Sequence, residues 1–228
     1  MERVSRFTNM KMVPEAAEEM FSKIHEFEEL LMIYNCALKE VKTKLEVLND
    51  ELSVRYNRNP IEFIKTRLKQ PISIAKKLEK NGCELSLESI SANLNDVAGV
   101  RVVCYFIDDI YDVAGWLSNQ DDIKLLQVKD YIKNPKENGY RSLHMIIDVP
   151  VFFSEDKLRV PVEVQIRTIA MDFWASLDHQ LRYKKDQEGL KDSEILGEEL
   201  KGCADVIAET DIRMQKIRER IGVFTELT

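Results

Sequence analysis

Residues 159–168 read RVPVEVQIRT, and their side chains alternate in character with a period of two, which a strand requires and a helix cannot use. Val160, Val162, Val164 and Ile166 share one face, an apolar set that makes core. Glu163, Gln165 and Arg167 share the other, so an acid, an amide and a guanidinium stand in a row. A sheet built on this strand has one side to bury and one side for chemistry. The surrounding sequence supplies the rest. GVRVVCYF at 99–106 is a β-branched run, and 124–128 and 143–149 read as further strands. Helical spacing falls on 72–81, on 109–119 and on 169 to about 183. This interleaving predicts an α/β (α+β) fold, a mixed β-sheet flanked by helices, with surface loops at 132–139 and 184–192.

The flanks read differently. From Pro14 to Arg58 there is no Gly and no internal Pro, and Met20, Ile24, Phe27, Leu31, Tyr34, Leu38, Val41, Leu45, Leu48 and Leu52 alternate steps of four and three. That is a heptad seam on one long helix, or on two nearly continuous ones. A second seam runs through Leu196, Leu200, Cys203, Ile207, Met214, Ile217 and Ile221, with Thr210 at its polar position and Gly202 as a weak point. Narrow stripes of this kind pack on each other, on the central unit, or on a second copy of the chain, and periodicity does not separate these outcomes.

Composition removes several classes of function. A formal net charge of -7 argues against broad nucleic-acid binding, for which a basic domain is expected. No apolar run approaches a membrane span, and MERVSRFTNMKM lacks the apolar stretch of a signal peptide, so a soluble, cytoplasmic protein is expected. The cysteines, Cys36, Cys83, Cys104 and Cys203, lie far apart with no CxxC pair, and are read as reduced rather than as zinc ligands.

Against an acidic background, the basic segment KTRLKQPISIAKKLEK at 65–80 is conspicuous. Lys77 and Lys80 can project to one side of a helix, while Arg67 and Lys69 enter from the extended stretch before it. Pro71 and Ser73 fit a helix start, where free backbone N–H groups favour phosphate. Asp96 follows closely, just before the strand that contains Arg101. Two carboxylates at strand ends, Asp96 and Glu163, with nearby arginines can hold magnesium on a triphosphate and offset the charge that phosphoryl transfer redistributes. A third segment, ENGYRSLH at 137–144, places Tyr140 after an Asn-Gly turn. Tyr140 is expected at the exposed loop tip, where its ring can stack on a nucleobase and Arg141 can reach phosphate. The alternatives are a solvated sheet face, a solvated lysine run and a commonplace turn tyrosine.

The order RLK…SIAKKLEK, DVAGVRVV, ENGYRSLH and EVQIRTIAMDFWASLDHQLRYK closely resembles the synthetase domain of the RelA/SpoT family, over roughly residues 60–185, and in length the chain looks like the small single-domain members. The resemblance implies a nucleotidyltransferase-like mixed sheet and transfer of the β,γ-pyrophosphate of ATP to the 3'-hydroxyl of GDP or GTP with Mg2+, forming the alarmones of the stringent response. It implies a catalytic domain at 60–190 between an N-terminal helical region at 1–59 and a C-terminal helix at 191–228, and a homo-oligomer, as a tetramer, through the terminal helices. Residue by residue, it implies that Asp96 binds magnesium and that Glu163 shares it or deprotonates the 3'-hydroxyl. Arg67, Lys69, Ser73, Lys77, Lys80 and Arg101 hold ATP, and Tyr140 stacks on guanine. Gln165, His144, His179 and Arg167 border the guanine nucleotide, with Lys184 and Lys185 near its phosphates. Small members of the family carry Asn where this chain has Asp172 and Arg182, which leaves the acceptor open among GDP, GTP and GMP. None of the histidines is followed by Asp, so the hydrolase motif of the larger members is not expected.

Competing readings are a nucleotidyltransferase of another class and a non-catalytic oligomeric scaffold. The first needs a DxD pair on one strand, which these strands lack. The second needs Asp96 or Glu163 to be missing, and both are present.

Overall fold

The computed structural model describes residues 14–188 and 193–226. Its elements run α1 (Pro14–Tyr56), β1 (Ile61–Leu68), α2 (Pro71–Lys80), α3 (Leu87–Asn93), β2 (Ala98–Cys104), α4 (Ile107–Ser118), β3 (Lys124–Asp130), β4 (Leu143–Phe152), β5 (Lys157–Thr168), α5 (Ile169–Glu188) and α6 (Ser193–Glu226). The strands form one five-stranded sheet in the order β1-β2-β5-β4-β3. β2 and β5 pair in parallel, and every other pairing is antiparallel, so the sheet is mixed, as the interleaved pattern predicts.

The alternation of β5 is realised residue by residue. Val160, Val162, Val164 and Ile166 are buried together with Val100, Val102 and Cys104 of β2. α1 lies along the sheet and seals this side with Tyr34, Ala37, Leu38, Val41 and Leu45. Each fully buried Leu or Val stabilises by roughly 1.5–3 kcal/mol relative to exposure, which explains why the middle of the first heptad stripe is committed to the sheet. Its N-terminal part is not: Met20 and Ile24 are exposed. Ile110, Val113 and Leu117 of α4 complete the same core.

Two elements are absent from the sequence reading. The extended stretch before α2 is an edge strand, β1, and α3 is a single short helix whose N-cap Ser86 accepts from the Ser89 amide at 3.1 Å. The loop expected at 184–192 is shortened, because α5 runs to Glu188; residues 189–192 lie outside the described ones.

The second heptad stripe packs only in part, with Leu200 and Ile207 half-buried beside α5. α6 turns Ala204 and Asp211 inward, while Cys203, Met214, Ile217 and Ile221 are exposed; Leu196 lies outside the described side chains. Polar anchors set this rotation. Thr168 Oγ1 donates to Asp211 Oδ2 at 2.5 Å, the Asp108 amide donates to Gln215 Oε1 at 3.2 Å, and the Trp174 indole donates to the Leu200 carbonyl at 2.9 Å. Arg218 adds an ion pair to Asp108. Fixed by these contacts, α6 presents the C-terminal part of its apolar stripe to the outside.

Gly139 is where α6 meets the 131–142 loop most tightly. Its φ is +85°, a left-handed conformation suited to glycine, and a Cβ there would lie 2.5 Å from Ala204 Cβ. Gly139→Ala is expected to destabilise the fold by about 1–3 kcal/mol, from overpacking and backbone strain together. Chemical denaturation measures this, and a midpoint equal to that of the unmodified protein would contradict the packing.

Candidate active site

On the face opposite α1 the strand registers align polar side chains in rows. Paired residues on neighbouring strands share a face, so Lys65 of β1, Arg101 of β2, Gln165 of β5, His144 of β4 and Lys129 of β3 form one row across the sheet. The next row runs Arg67, Gly99, Glu163. Gly99 has no side chain to fill the space between Arg67 and Glu163, and a cleft of about 470 Å3 opens there, lined by Lys65, Thr66, Arg67, Lys69, Asp96, Gly99, Val100, Arg101, Glu163 and Gln165. Asp96 enters from the turn before β2. The two carboxylates therefore face one compartment, among Lys65, Arg67, Lys69 and Arg101, and the cleft is cationic in a chain of formal charge -7.

Asp96 is the most constrained of these groups. Its Oδ2 accepts from Lys69 Nζ and Lys77 Nζ, both at 2.6 Å, while its Oδ1 is buried with no partner among the described residues. Burial works against its charged form, but the two ammoniums more than offset that and hold its carboxyl below the ordinary range. Glu163 is similarly balanced. Burial and the nearby Asp96 raise it, contact with His144 and the amide of Gln165 more than offset them, and the carboxyl sits below its usual value. Both acids are ionised at neutral pH.

Beside Glu163 lies a pocket wall of rings and cations. Tyr140 is half-buried, its hydroxyl 2.8 Å from His144 Nε2, and Arg167 Nη2 donates to the same oxygen at 2.8 Å. Burial pushes the Tyr140 phenol up. Tyr131 packs edge-on against His144, and the Lys136 ammonium stands over both the Tyr131 and Tyr140 rings, at 4.7 and 4.9 Å. Arg167 is 3% exposed; burial disfavours its cation, and the nearby Tyr140 and Asp172 counter this while Arg101 adds to it. Asp172 Oδ1 pairs with both Arg101 and Arg167 at 3.2 Å, joining the two ends of the cleft.

The structure thus brings together Asp96, Glu163, Arg67, Lys69, Lys77, Arg101, Gln165, His144, Arg167 and Tyr140. Tyr140 is not at an exposed loop tip, because its hydroxyl is drawn inward by His144 and Arg167. Ser73 is half-buried in the first turn of α2, and its amide is already donated to the Gln70 carbonyl at 2.8 Å, so the free N–H expected there is in use. Lys80 is exposed and lies outside the cleft lining. His179 is exposed on α5, seven residues after Asp172 and hence on the same side of that helix. Lys184, Lys185 and Arg182 lie outside the described side chains.

Arg141 is a correction. Its guanidinium points away from the cleft and donates to the Gly139 carbonyl at 3.0 Å, the Ala204 carbonyl at 3.3 Å and Asp205 Oδ1 at 3.0 Å. Consecutive extended residues face opposite ways, so once Tyr140 turns to the cleft, Arg141 turns to α6. Sequence reasoning does not single out Tyr131 or Lys136. Their only signal is an aromatic and a lysine flanking the loop that carries Tyr140. Among the described residues no helix is long and apolar enough to cross a membrane.

Residues 66–188 match the family described as "Region found in RelA / SpoT proteins". Over 204 residues the chain is 39% identical to GTP pyrophosphokinase YwaC of Bacillus subtilis (strain 168), covering 90% of this chain and 96% of that protein. It is 36% identical over 159 residues to GTP pyrophosphokinase YjbM of the same organism, covering 70% of this chain and 74% of that one. Among solved structures, small alarmone synthetase 2 from Bacillus subtilis superposes with a TM-score of 0.76 at 41% identity, over 86% of this chain and 99% of that chain. Small alarmone synthetase 1 from Bacillus subtilis bound to its product pppGpp gives 0.77 at 32%, over 87% and 99%.

The placement of Arg141 makes it a tie between the 131–142 loop and α6. Arg141→Ala is expected to speed amide exchange of residues 136–142 by about tenfold, since shielded hydrogen bonds to a charged group contribute about 1.5–3 kcal/mol each and the Asp205 end, being exposed, contributes less. Hydrogen exchange read by mass spectrometry tests this, and unchanged rates in that segment would overturn the tie.

Proposed function

The chain belongs to the RelA/SpoT family, and on that premise we propose that its cleft carries out pyrophosphoryl transfer from ATP to the ribose 3'-hydroxyl of GDP or GTP, yielding (p)ppGpp and AMP. The observation that carries the assignment of the site is the placing of Asp96 and Glu163 in one cationic cleft, from the start of β2 and from β5. Hydrolysis of the product is not part of this reading.

The residues present fit a magnesium ion. Asp96 Oδ1 is buried without a partner among the described residues, Glu163 lines the same cleft, and two carboxylates leave most of an all-oxygen coordination shell to phosphates and water, as this hard cation prefers. When bound, magnesium neutralises charge on the triphosphate and orients it. The remaining work belongs to the chain. Arg67, Lys69, Lys77 and Arg101 hold the triphosphate, and Lys69 and Lys77, which neutralise Asp96 in the absence of nucleotide, turn to phosphate oxygens. Ser73 and Lys80 of α2 stand at the margin of this ATP site. At the other end Tyr140 receives the guanine ring, bordered by Gln165, His144 and Arg167, with His179 further along α5 and Lys184 and Lys185 beyond it toward the acceptor phosphates.

In the transfer itself, Glu163 takes the proton from the 3'-hydroxyl as that oxygen attacks the β-phosphorus of ATP. The bond from the β-phosphorus to the bridging oxygen of AMP breaks, and AMP leaves with the electron pair. The cationic wall steadies the charge on the transferring group, and catalysis is mainly positioning and electrostatics. Substrates of this kind place the protein in the cytoplasm.

Incubation with magnesium, GDP and ATP labelled at the γ-phosphate is expected to place label in a guanine product alongside AMP. Glu163→Gln is expected to keep ATP binding and to lower turnover at least tenfold, roughly 1.4 kcal/mol or more of transition-state stabilisation. A variant retaining more than about a tenth of the activity contradicts the role of Glu163, and label appearing only in free pyrophosphate contradicts the reaction.

The exposed stripes on α1 and α6 support a homo-oligomer, as a tetramer. Native mass spectrometry is expected to find four chains together, and a monomer at micromolar concentration would remove that part of the reading.

A further inference from the structure

At the acceptor end of the cleft, side-chain contacts close into a ring. Arg167 Nη2 donates to Gln165 Oε1 at 2.7 Å and to Tyr140 Oη at 2.8 Å. Gln165 Nε2 donates to Glu163 Oε2 at 2.8 Å. His144 returns the path: its Nδ1 lies 3.3 Å from Glu163 Oε1 and its Nε2 lies 2.8 Å from Tyr140 Oη.

The protons on this ring are determined by its chemistry. A carboxylate only accepts, so the His144 nitrogen that faces Glu163 must carry hydrogen. A neutral imidazole has one N–H, which leaves Nε2 as an acceptor. The Tyr140 oxygen already accepts from Arg167, and its own proton is therefore the one available to Nε2. The hydrogens then point in one direction along this path, from the tyrosine hydroxyl through His144 to the catalytic carboxylate.

We propose that the Tyr140 hydroxyl holds His144 in the tautomer whose Nδ1–H faces Glu163, so that Tyr140 and His144 are positioning residues for the group that receives the acceptor's proton. The inference rests on the reading of Glu163 given above. Without the hydroxyl, only the 3.3 Å contact with Glu163 disfavours a hydrogen on Nε2, and that tautomer becomes populated. The lone pair on Nδ1 then faces a carboxylate, which turns away from it. The same tyrosine thus has two separable parts: the ring face that meets the base and the hydroxyl that orders the base's catalytic partner.

Tyr140→Phe separates them, because it keeps the ring and deletes only the oxygen. Steady-state kinetics with ATP and GDP are expected to show kcat lowered about tenfold with the KM for GDP within about twofold of the unmodified enzyme. A purely structural or stacking role predicts the reverse split. A second pair of variants reads His144 directly. An Asn amide nitrogen falls near the position of Nδ1 and can still donate to Glu163, whereas a Gln amide falls near Nε2 and meets only Tyr140. His144→Asn is therefore expected to keep a kcat about tenfold or more above that of His144→Gln. Unchanged kcat in Tyr140→Phe, a loss confined to KM, or the opposite order of the His144 variants would overturn the inference. These outcomes are distinct from failure of the functional reading, in which the unmodified enzyme itself forms no labelled guanine product.

Discussion

The parallel pairing of β2 with β5 is the constraint on which the cleft depends. Its register sets Gly99 opposite Glu163 and Arg101 opposite Gln165, and Asp96 then lies just beyond the strand end, over the same floor. A shift of one residue would move Glu163, Gln165 and Arg167 into the core and turn Val162, Val164 and Ile166 to solvent. The valine-rich face that α1 seals thus selects the register that places the acids, so core packing and catalytic geometry are one choice. Gly99 adds the space: any side chain there would occupy the floor between Arg67 and Glu163.

Charge balance makes that arrangement tolerable before a nucleotide arrives. A buried carboxylate without partners is costly, and Asp96 avoids the cost by sharing one oxygen between Lys69 and Lys77. The other oxygen is buried with no partner among the described residues, which is the kind of unsatisfied group that a functional site retains. Asp172 plays the corresponding part for Arg101 and Arg167. The cleft is held as a set of ion pairs in which each carboxylate serves two cations.

Much of this was legible in the sequence because it lies in short periodic patterns. The period of two in RVPVEVQIRT named both faces of β5, and the basic segment before Asp96 named the cations. The first heptad stripe allows one long helix or two nearly continuous ones, of which α1 is the first, and it does not tell which part packs, since a stripe encodes a face and not its partner. β1 escaped notice because IEFIKTRL is an edge strand with a ragged burial pattern, where alternation is weak. Turn chemistry sets Tyr140 and Arg141 in the right loop but does not encode their directions. Local turn chemistry marks the turn, whereas the inward pull of His144 and Arg167 and the outward pull of Ala204 and Asp205 come from elements distant in sequence. Long-range partners of this kind leave no periodic trace.

The same limit explains α6. Its apolar period reads as a packing seam, yet the helix is rotated by Asp211, Gln215 and Arg218, polar residues that interrupt the period and meet Thr168 and the start of α4. Burying those anchors against β5 and α4 forces the apolar stripe outward, so the exposed stripe is a consequence of how α6 is docked. The inward face also touches the loop that carries Tyr140, through Gly139 against Ala204 and Arg141 on Asp205. α6 is thus solvent-facing on one side and packed against the 131–142 loop on the other, where a Cβ at Gly139 would lie 2.5 Å from that of Ala204. The loop that carries Tyr140 is therefore held in part by a helix that lies outside the cleft lining.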